Sequence, residues 1–201
     1  PPPPPPPPPT PPPPPPPPPL FSRRRRHTRL GRLSRGLGDV YKRQCGYYVT
    51  ICSYRKESIF SKIVNGITIP TQIGEIVNYE WFRISLHRNY ATLHKDEFIL
   101  MPNHIHGIIW IDDCGYKEEY TESKQTILKS RSLGAIIGQF KSKTSRVVNQ
   151  KMNTPGASIW QRNYYDHIIR NDKDLNSIRK YILDNPLHWD EDEENIRHKE
   201  A

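Results

Sequence analysis

Eighteen of the chain's 22 prolines lie in residues 1–19, where only Thr10 interrupts them. A proline run fixes φ and donates no backbone hydrogen bonds, so it forms a stiff polyproline II rod with no core. Ser22 to Gln44 follows as a basic, glycine-dotted stretch without apolar periodicity. Residues 1–44 hold nine Lys/Arg against one Asp, and so carry +8 of the formal net charge of +9. An Arg-rich arm of this kind can bind phosphates or act as a localisation patch. A proline homopolymer is also what a cytosine homopolymer encodes, and the following stretch resembles translated sequencing-adapter read-through. Residues 1–44 are therefore expected to be a disordered low-complexity segment of artefactual origin. No apolar h-region follows the charges, so the segment does not read as a signal peptide.

The fold must come from the 157 residues that remain. They contain 62 apolar residues, 21 Lys/Arg and 20 Asp/Glu. That composition excludes disorder and is ample for one buried core. No apolar run approaches the ~18 residues of a membrane span. Three cysteines without CxxC spacing argue against a disulfide framework or a zinc ribbon, and a cytoplasmic, reducing setting is expected.

Periodicity divides this region into elements. Gly46 to Tyr54 is rich in β-branched and aromatic residues and reads as a strand. Asn65-Gly66, between Ile63-Val64 and Ile67-Thr68-Ile69, supplies a type I′ hairpin turn. Thr71 can cap a helix to about Leu86, with Ile73, Ile76, Val77, Glu80 or Trp81, and Ile84 on one face. Glu97–Met101 and Ile105–Ile111 read as antiparallel strands around Pro102-Asn103, and residues 112–130 read as a polar loop. Leu133, Ile136, Ile137, Phe140, Val147 and Val148 mark a second helix over about 132–150. A turn at Pro155-Gly156 precedes a fourth main strand within 160–169. The Leu175/Ile178/Ile182 stripe gives a third helix stopped by Pro186. The order β-α-β-β-α-β-α defines an α+β, ferredoxin-like split βαβ antiparallel sheet with an added carboxy-terminal helix. The domain is expected over 45–189, with an acidic, fraying tail at 190–201.

Three constellations carry chemistry. His104 and His106 sit two apart in a strand, so both imidazoles share a face while Ile105 enters the core. That geometry suits two ligands of one divalent metal, and equally a polar pair on a solvated face. Tyr181 and Asn185 are one helical turn apart. A phenol can be a nucleophile and an amide oxygen a ligand, or the pair can be a rim tyrosine and a helix-end cap. From Ser123 to Tyr165 there are eight Lys/Arg and no acid. Lys141, Lys143 and Arg146 on the second helix, then Gln161, Arg162, Tyr164 and Tyr165, mix charge, amides and aromatics suited to phosphates and unstacked bases. The alternative is an ordinary solvated helix face.

Together these residues resemble a known family. Met101-Pro102-Asn103-His104-Ile105-His106-Gly107 matches its His-hydrophobe-His (HUH) block. Ile159 to Asn171 matches the strand after the basic helix, and Arg179 to Pro186 the nucleophile helix. The chain resembles REP-associated tyrosine transposases, within the single-tyrosine HUH (IS200-like) transposases, from about Tyr47 to Trp189. The resemblance implies that His104, His106 and Asn185 hold Mg²⁺ or Mn²⁺. It implies that Tyr181 attacks a phosphodiester in single-stranded hairpin DNA, leaving a 5′-phosphotyrosine and a free 3′-hydroxyl. His167 and Arg170 join the DNA-binding candidates, His167 also reading as a packed strand histidine. Tyr164 and Tyr165 lack a helical amide at i+4 and rank below Tyr181 as nucleophiles. Other readings are an inactive hairpin-DNA binder and a non-covalent metal-dependent hydrolase. Relatives are monomers or homodimers, no membrane partner is expected, and the implied location is cytoplasmic, at the nucleoid.

Overall fold

The computed structural model of the chain describes residues 44–112, 131–192, 194 and 195. The segment 1–43, the expected loop over 113–130 and the end of the acidic tail lie outside them. In chain order the regular elements are β1 (Gln44–Cys52), β2 (Ser61–Val64), β3 (Ile67–Pro70), α1 (Gln72–His87), β4 (Ala91–Thr92), β5 (Phe98–Leu100), β6 (His104–Asp112), α2 (Leu133–Met152), β7 (Tyr165–Ile169) and α3 (Asp172–Asp184).

The local signals explain the boundaries. Asn65 and Gly66 take φ of 53° and 73°, as the β2–β3 turn requires. The Thr71 hydroxyl accepts from Gly74 N and starts α1; Ser132 does the same for α2 through Ala135 N. Asn171 caps α3 by accepting from Asp174 N. Pro186 ends the α-helical pattern but not the helical path. The chain continues as a 3₁₀ segment, Asn185–Glu191, because a proline in a first turn has no intrahelical N–H to lose.

β1 lies at the centre of the main sheet. It pairs antiparallel with β6 on one side and β7 on the other. β4 and β5 pair successively along the outer edge of β6, also antiparallel. The order β7-β1-β6-β4/β5 is that of the expected split βαβ sheet. The fourth main strand is shorter than its expected window, since Trp160 makes only an isolated bridge to Ser53.

Alternation separates the sheet into two faces. Tyr47, Val49, Ile51, Ile105, Ile109 and Ile111 pack with residues of α1 and α2 in the larger core. Gly107 lies on this face because the Trp81 ring occupies the space a Cβ would fill, 2.4 Å from Cζ2. On the other face Tyr48, Ile108, Trp110 and Ile169 pack with Leu175 and Ile182 of α3. His104 and His106 follow the parity of Ile108 and Trp110, so they belong to the α3 face.

One expectation is corrected. The tail does not fray at residue 190: Glu194 and Asn195 are buried. Glu194 pairs with Lys56 at 2.5 Å, and its carbonyl accepts from Asn103 Nδ2 at 2.6 Å. An acidic run looks solvated when its cationic and amide partners lie about a hundred residues away. The packed unit therefore extends beyond Trp189 to Asn195. Cys52 is a free thiol.

Candidate active site

The site is built where the first residues of β6 meet α3 and the 3₁₀ segment. His104 and His106 are buried, and their Nε2 atoms lie 2.9 Å apart. Each imidazole is held from behind. His104 Nδ1 lies 2.8 Å from Asn103 Oδ1. His106 Nδ1 lies 2.8 Å from the Tyr48 hydroxyl and 2.9 Å from Thr50 Oγ1. The Thr50 contact follows from register, because Thr50 is the cross-strand partner of His106. Burial pushes the His104 pKa down to about 3, aided by the Lys56 charge. Burial, then the neighbouring His104, pushes His106 the same way. Both imidazoles are thus held neutral, the form that binds metal.

Tyr181 is brought to this pair. Its ring centroid is 5.3 Å from that of His106 and 6.3 Å from that of Tyr48. An anchor two residues earlier helps place it. Arg179 Nε donates to Glu97 Oε1 at 2.9 Å, while Trp110 Nε1 donates to Glu97 Oε2 at 2.6 Å. Glu97 is fully buried, so this ionic contact ties α3 to the β5 edge.

Asn185 is buried, and its side chain hydrogen-bonds Asp192 while its Oδ1 has no partner. The amide nitrogen therefore serves the carboxylate and leaves a bare oxygen. Asp192 was not anticipated. Its carboxylate and the two histidines present ligand atoms within 4.8 Å of one another. Burial raises the Asp192 pKa, opposed by hydrogen bonds from Glu194 N and Asn185. Nothing local marks Asp192 among Asp190, Glu191 and Glu194; only docking of the tail separates it from its neighbours.

These groups fit a hard divalent cation. The two Nε2 atoms, 2.9 Å apart, are close enough to share one ion. An orphaned amide oxygen and a carboxylate nearby are further donors of the right kind.

The DNA-binding candidates are dispersed. Lys141 Nζ donates to the carbonyls of Gln161 and Asn163 at 2.8 and 2.7 Å, so it ties α2 to the strand approach. Desolvation lowers its pKa to about 8. Lys143 pairs with Glu80 of α1 at 3.1 Å. Arg146 is exposed, but α2 covers the sheet face opposite the histidines. Tyr164 packs against that same core. Tyr165 is on the histidine face, its ring 6.2 Å from Tyr48. His167 pairs with Asp174 of α3 at 3.0 Å. Arg162 and Arg170 are exposed, and Gln161 is half-buried.

No protein-family model matches the chain. It is 33% identical over 159 residues to an uncharacterised protein of Haemophilus influenzae, covering 76% of this chain and 86% of that protein. The chain belongs to that protein's family. A second Haemophilus influenzae protein, named "Putative REP-associated tyrosine transposase", is 32% identical over 92 residues, 44% of this chain. The match spans about half of that relative, 46% of its length. Among solved structures, the chain is similar to a REP-associated tyrosine transposase bound to a REP hairpin, at TM-score 0.48 and 16% identity. That likeness covers 72% of this chain and 68% of the other. A "putative transposase" of Deinococcus radiodurans gives TM-score 0.40 at 14% identity over 73% of this chain and 93% of its own. The resemblance to REP-associated tyrosine transposases read from the motifs is thus shared by a relative in sequence.

Proposed function

We propose that the chain is a metal-dependent tyrosine endonuclease and strand transferase acting on single-stranded hairpin DNA. The observation that carries this reading is the placement of the Tyr181 ring 5.3 Å from one of two buried imidazoles whose Nε2 atoms converge. His104, His106 and the bare Asn185 oxygen would hold Mg²⁺ or Mn²⁺, with Asp192 as a fourth donor. The bound cation supplies Lewis-acid polarisation of a phosphate oxygen and offsets its developing charge.

The protein's own residues do the rest. The Tyr181 oxygen attacks the phosphorus, a P–O bond to tyrosine forms, and the bond to the 3′-oxygen breaks. The strand upstream leaves with a 3′-hydroxyl, and the downstream strand remains on the enzyme as a 5′-phosphotyrosine. The reverse attack by a 3′-hydroxyl rejoins DNA without external energy. The Glu97–Arg179 anchor limits the motion of α3, so nucleophile and phosphate can be held in line. Exposed Arg162 and Arg170 can meet phosphates beside β7. Tyr165, near Tyr48 on the site face, can stack on a base.

Asp192 favours one second reading. Two histidines and a carboxylate also suit a hydrolase that activates water and forms no covalent intermediate. One experiment separates the two. The chain is incubated with Mn²⁺ and labelled hairpin oligonucleotides with single-stranded flanks, then resolved in SDS. An adduct carrying the downstream strand, absent from Tyr181→Phe and from chelated samples, supports the transferase. Cleavage without an adduct, surviving Tyr181→Phe, supports the hydrolase and overturns the covalent reading.

A further inference from the structure

Asp192 stands beyond the last residue of the 3₁₀ segment, with extended backbone at φ −70° and ψ 130°. Helical spacing therefore cannot place its carboxylate as it places Asn185. The chain closes on itself instead. Asp192 N donates to the Trp189 carbonyl at 3.2 Å, Asn195 N to the Asp192 carbonyl at 2.9 Å, and Asn195 Nδ2 to the Trp189 carbonyl at 3.0 Å. Glu194 N donates to Asp192 Oδ1 at 2.7 Å. These bonds shape a turn, but none of them joins it to the strands that carry the histidines.

Glu194 makes that join. Its buried carboxylate meets Lys56 Nζ at 2.5 Å and accepts from Cys52 Sγ at 3.7 Å. Its carbonyl accepts from Asn103 Nδ2 at 2.6 Å, one residue before His104. Lys56 is presented by an unusual backbone. Arg55 and Lys56 take φ of 54° and 56°, the left-handed region that non-glycine residues rarely adopt. Such residues persist where their surroundings over-determine them. Here Asn103 Nδ2 also donates to the Lys56 carbonyl at 3.1 Å, and Ser53 Oγ to the Glu57 carbonyl at 2.7 Å. Arg55 faces solvent as a result, while Lys56 turns inward, its side chain only 17% exposed. An ordinary surface ion pair needs neither a left-handed loop nor a buried carboxylate. Removing one partner would leave the other charge buried and unpaired, so the two hold the turn jointly.

We propose that Lys56 and Glu194 are positioning residues: their ion pair pins the carboxy-terminal turn to the loop after β1, and so holds the Asp192 carboxylate beside His104 and His106 for a divalent cation. The pair also settles which acid serves. Glu194 is held by Lys56, and the carboxylate that reaches the histidines is that of Asp192. Docking of the turn rests on the contacts alone; its effect on a cation rests on the proposed metal site.

The test uses the full chain and two measurements. Amide hydrogen exchange, without metal, reads the turn through the N–H groups of residues 194 and 195, both bonded to Asp192. Glu194→Ala should speed exchange at both by roughly 10-fold or more, while the amides of β6 stay protected. Electron paramagnetic resonance then reads Mn²⁺ affinity, which should fall by roughly 10-fold or more. Lys56→Met removes the other end of the pair and should give both changes, so the outcome does not hang on the folding of one variant. The route through Asp192 has its own readout. Asp192→Asn should weaken Mn²⁺ binding by itself, and Glu194→Ala added to it should cost less than about 2-fold further. Losses that multiply, as general destabilisation would give, overturn that route. Unchanged exchange in both single variants overturns the pinning of the turn. Undiminished Mn²⁺ affinity overturns the positioning role, and a simultaneous gain in Tyr181 adduct would make the turn a cover over the site instead. A chain that binds no Mn²⁺ overturns the metal reading and this role with it, although exchange still reports the docking. Weakened Mn²⁺ binding in a chain that never forms a Tyr181 adduct would sink the nuclease reading and leave this one standing.

Discussion

The two faces of the main sheet are made by the same strands and do opposite work. On the α1/α2 face, Val49, Ile51, Ile105 and Ile109 are fully buried among apolar neighbours. On the α3 face, the residues between them are Tyr48, Thr50, His104 and His106, also buried but bonded to one another. The first face stabilises through area, roughly 1.5–3 kcal/mol for each large side chain removed from water. The second face contributes less, because a buried hydrogen bond nets only about 1 kcal/mol. Its value lies in geometry: every polar atom has few partners it can turn toward. A protein can place reactive groups on one side of a sheet when the other side secures the fold.

The largest effects should separate these two roles. Tyr181→Phe should abolish the covalent DNA adduct while leaving the urea midpoint unchanged. Trp81→Ala should do the converse, destabilising by about 3–5 kcal/mol in equilibrium unfolding while the folded fraction still forms adduct. A loss of stability in the first variant, or of adduct per folded molecule in the second, would break the division between faces. Acid should act on the α3 face first. His104 is held at about 3, below its ordinary value of about 6.5. The unfolded chain therefore takes up that proton first. Stability of the metal-free protein should be full above about pH 6.5 and fall as the pH drops toward about 3. Urea midpoints at several pH values check this, and H104Q should flatten the profile.

Smaller changes sharpen the comparison. Gly107→Ala forces a methyl into the Trp81 ring and should cost about 1–3 kcal/mol in chemical denaturation, with no loss of Mn²⁺ affinity. Arg170→Ala should lower the salt slope of hairpin binding by about one. Arg146→Ala tests the opposite layer. If α2 touches DNA, its slope falls equally; an unchanged slope confines the DNA to the α3 side.

What was legible in the sequence was local. Asn65-Gly66, the cap at Thr71, the His-x-His pair and the Tyr181/Asn185 turn all express spacing along a single element. The strand order follows from their sequence. The surroundings of the histidines were not legible, because they depend on distant partners. Thr50 meets His106 across 56 positions and Asn103 meets Glu194 across 91. Asp192 looked like one of several solvated acids until the tail docked beside Lys56. The basic stretch was visible as charge, but charge alone does not say which layer it covers. Lys141 and Lys143 turn out to be held by carbonyls and by Glu80.

Strand alternation in β6 also limits how its gene can drift. Ile105, Gly107, Ile109 and Ile111 face one layer, and His104, His106, Ile108 and Trp110 the other. Inserting or deleting one codon after His106 would exchange the faces of the remainder of the strand. Trp110 would then be driven toward Trp81, and an isoleucine would stand where the Glu97 carboxylate awaits an indole N–H. Base substitutions can be absorbed one residue at a time here; a change in length cannot.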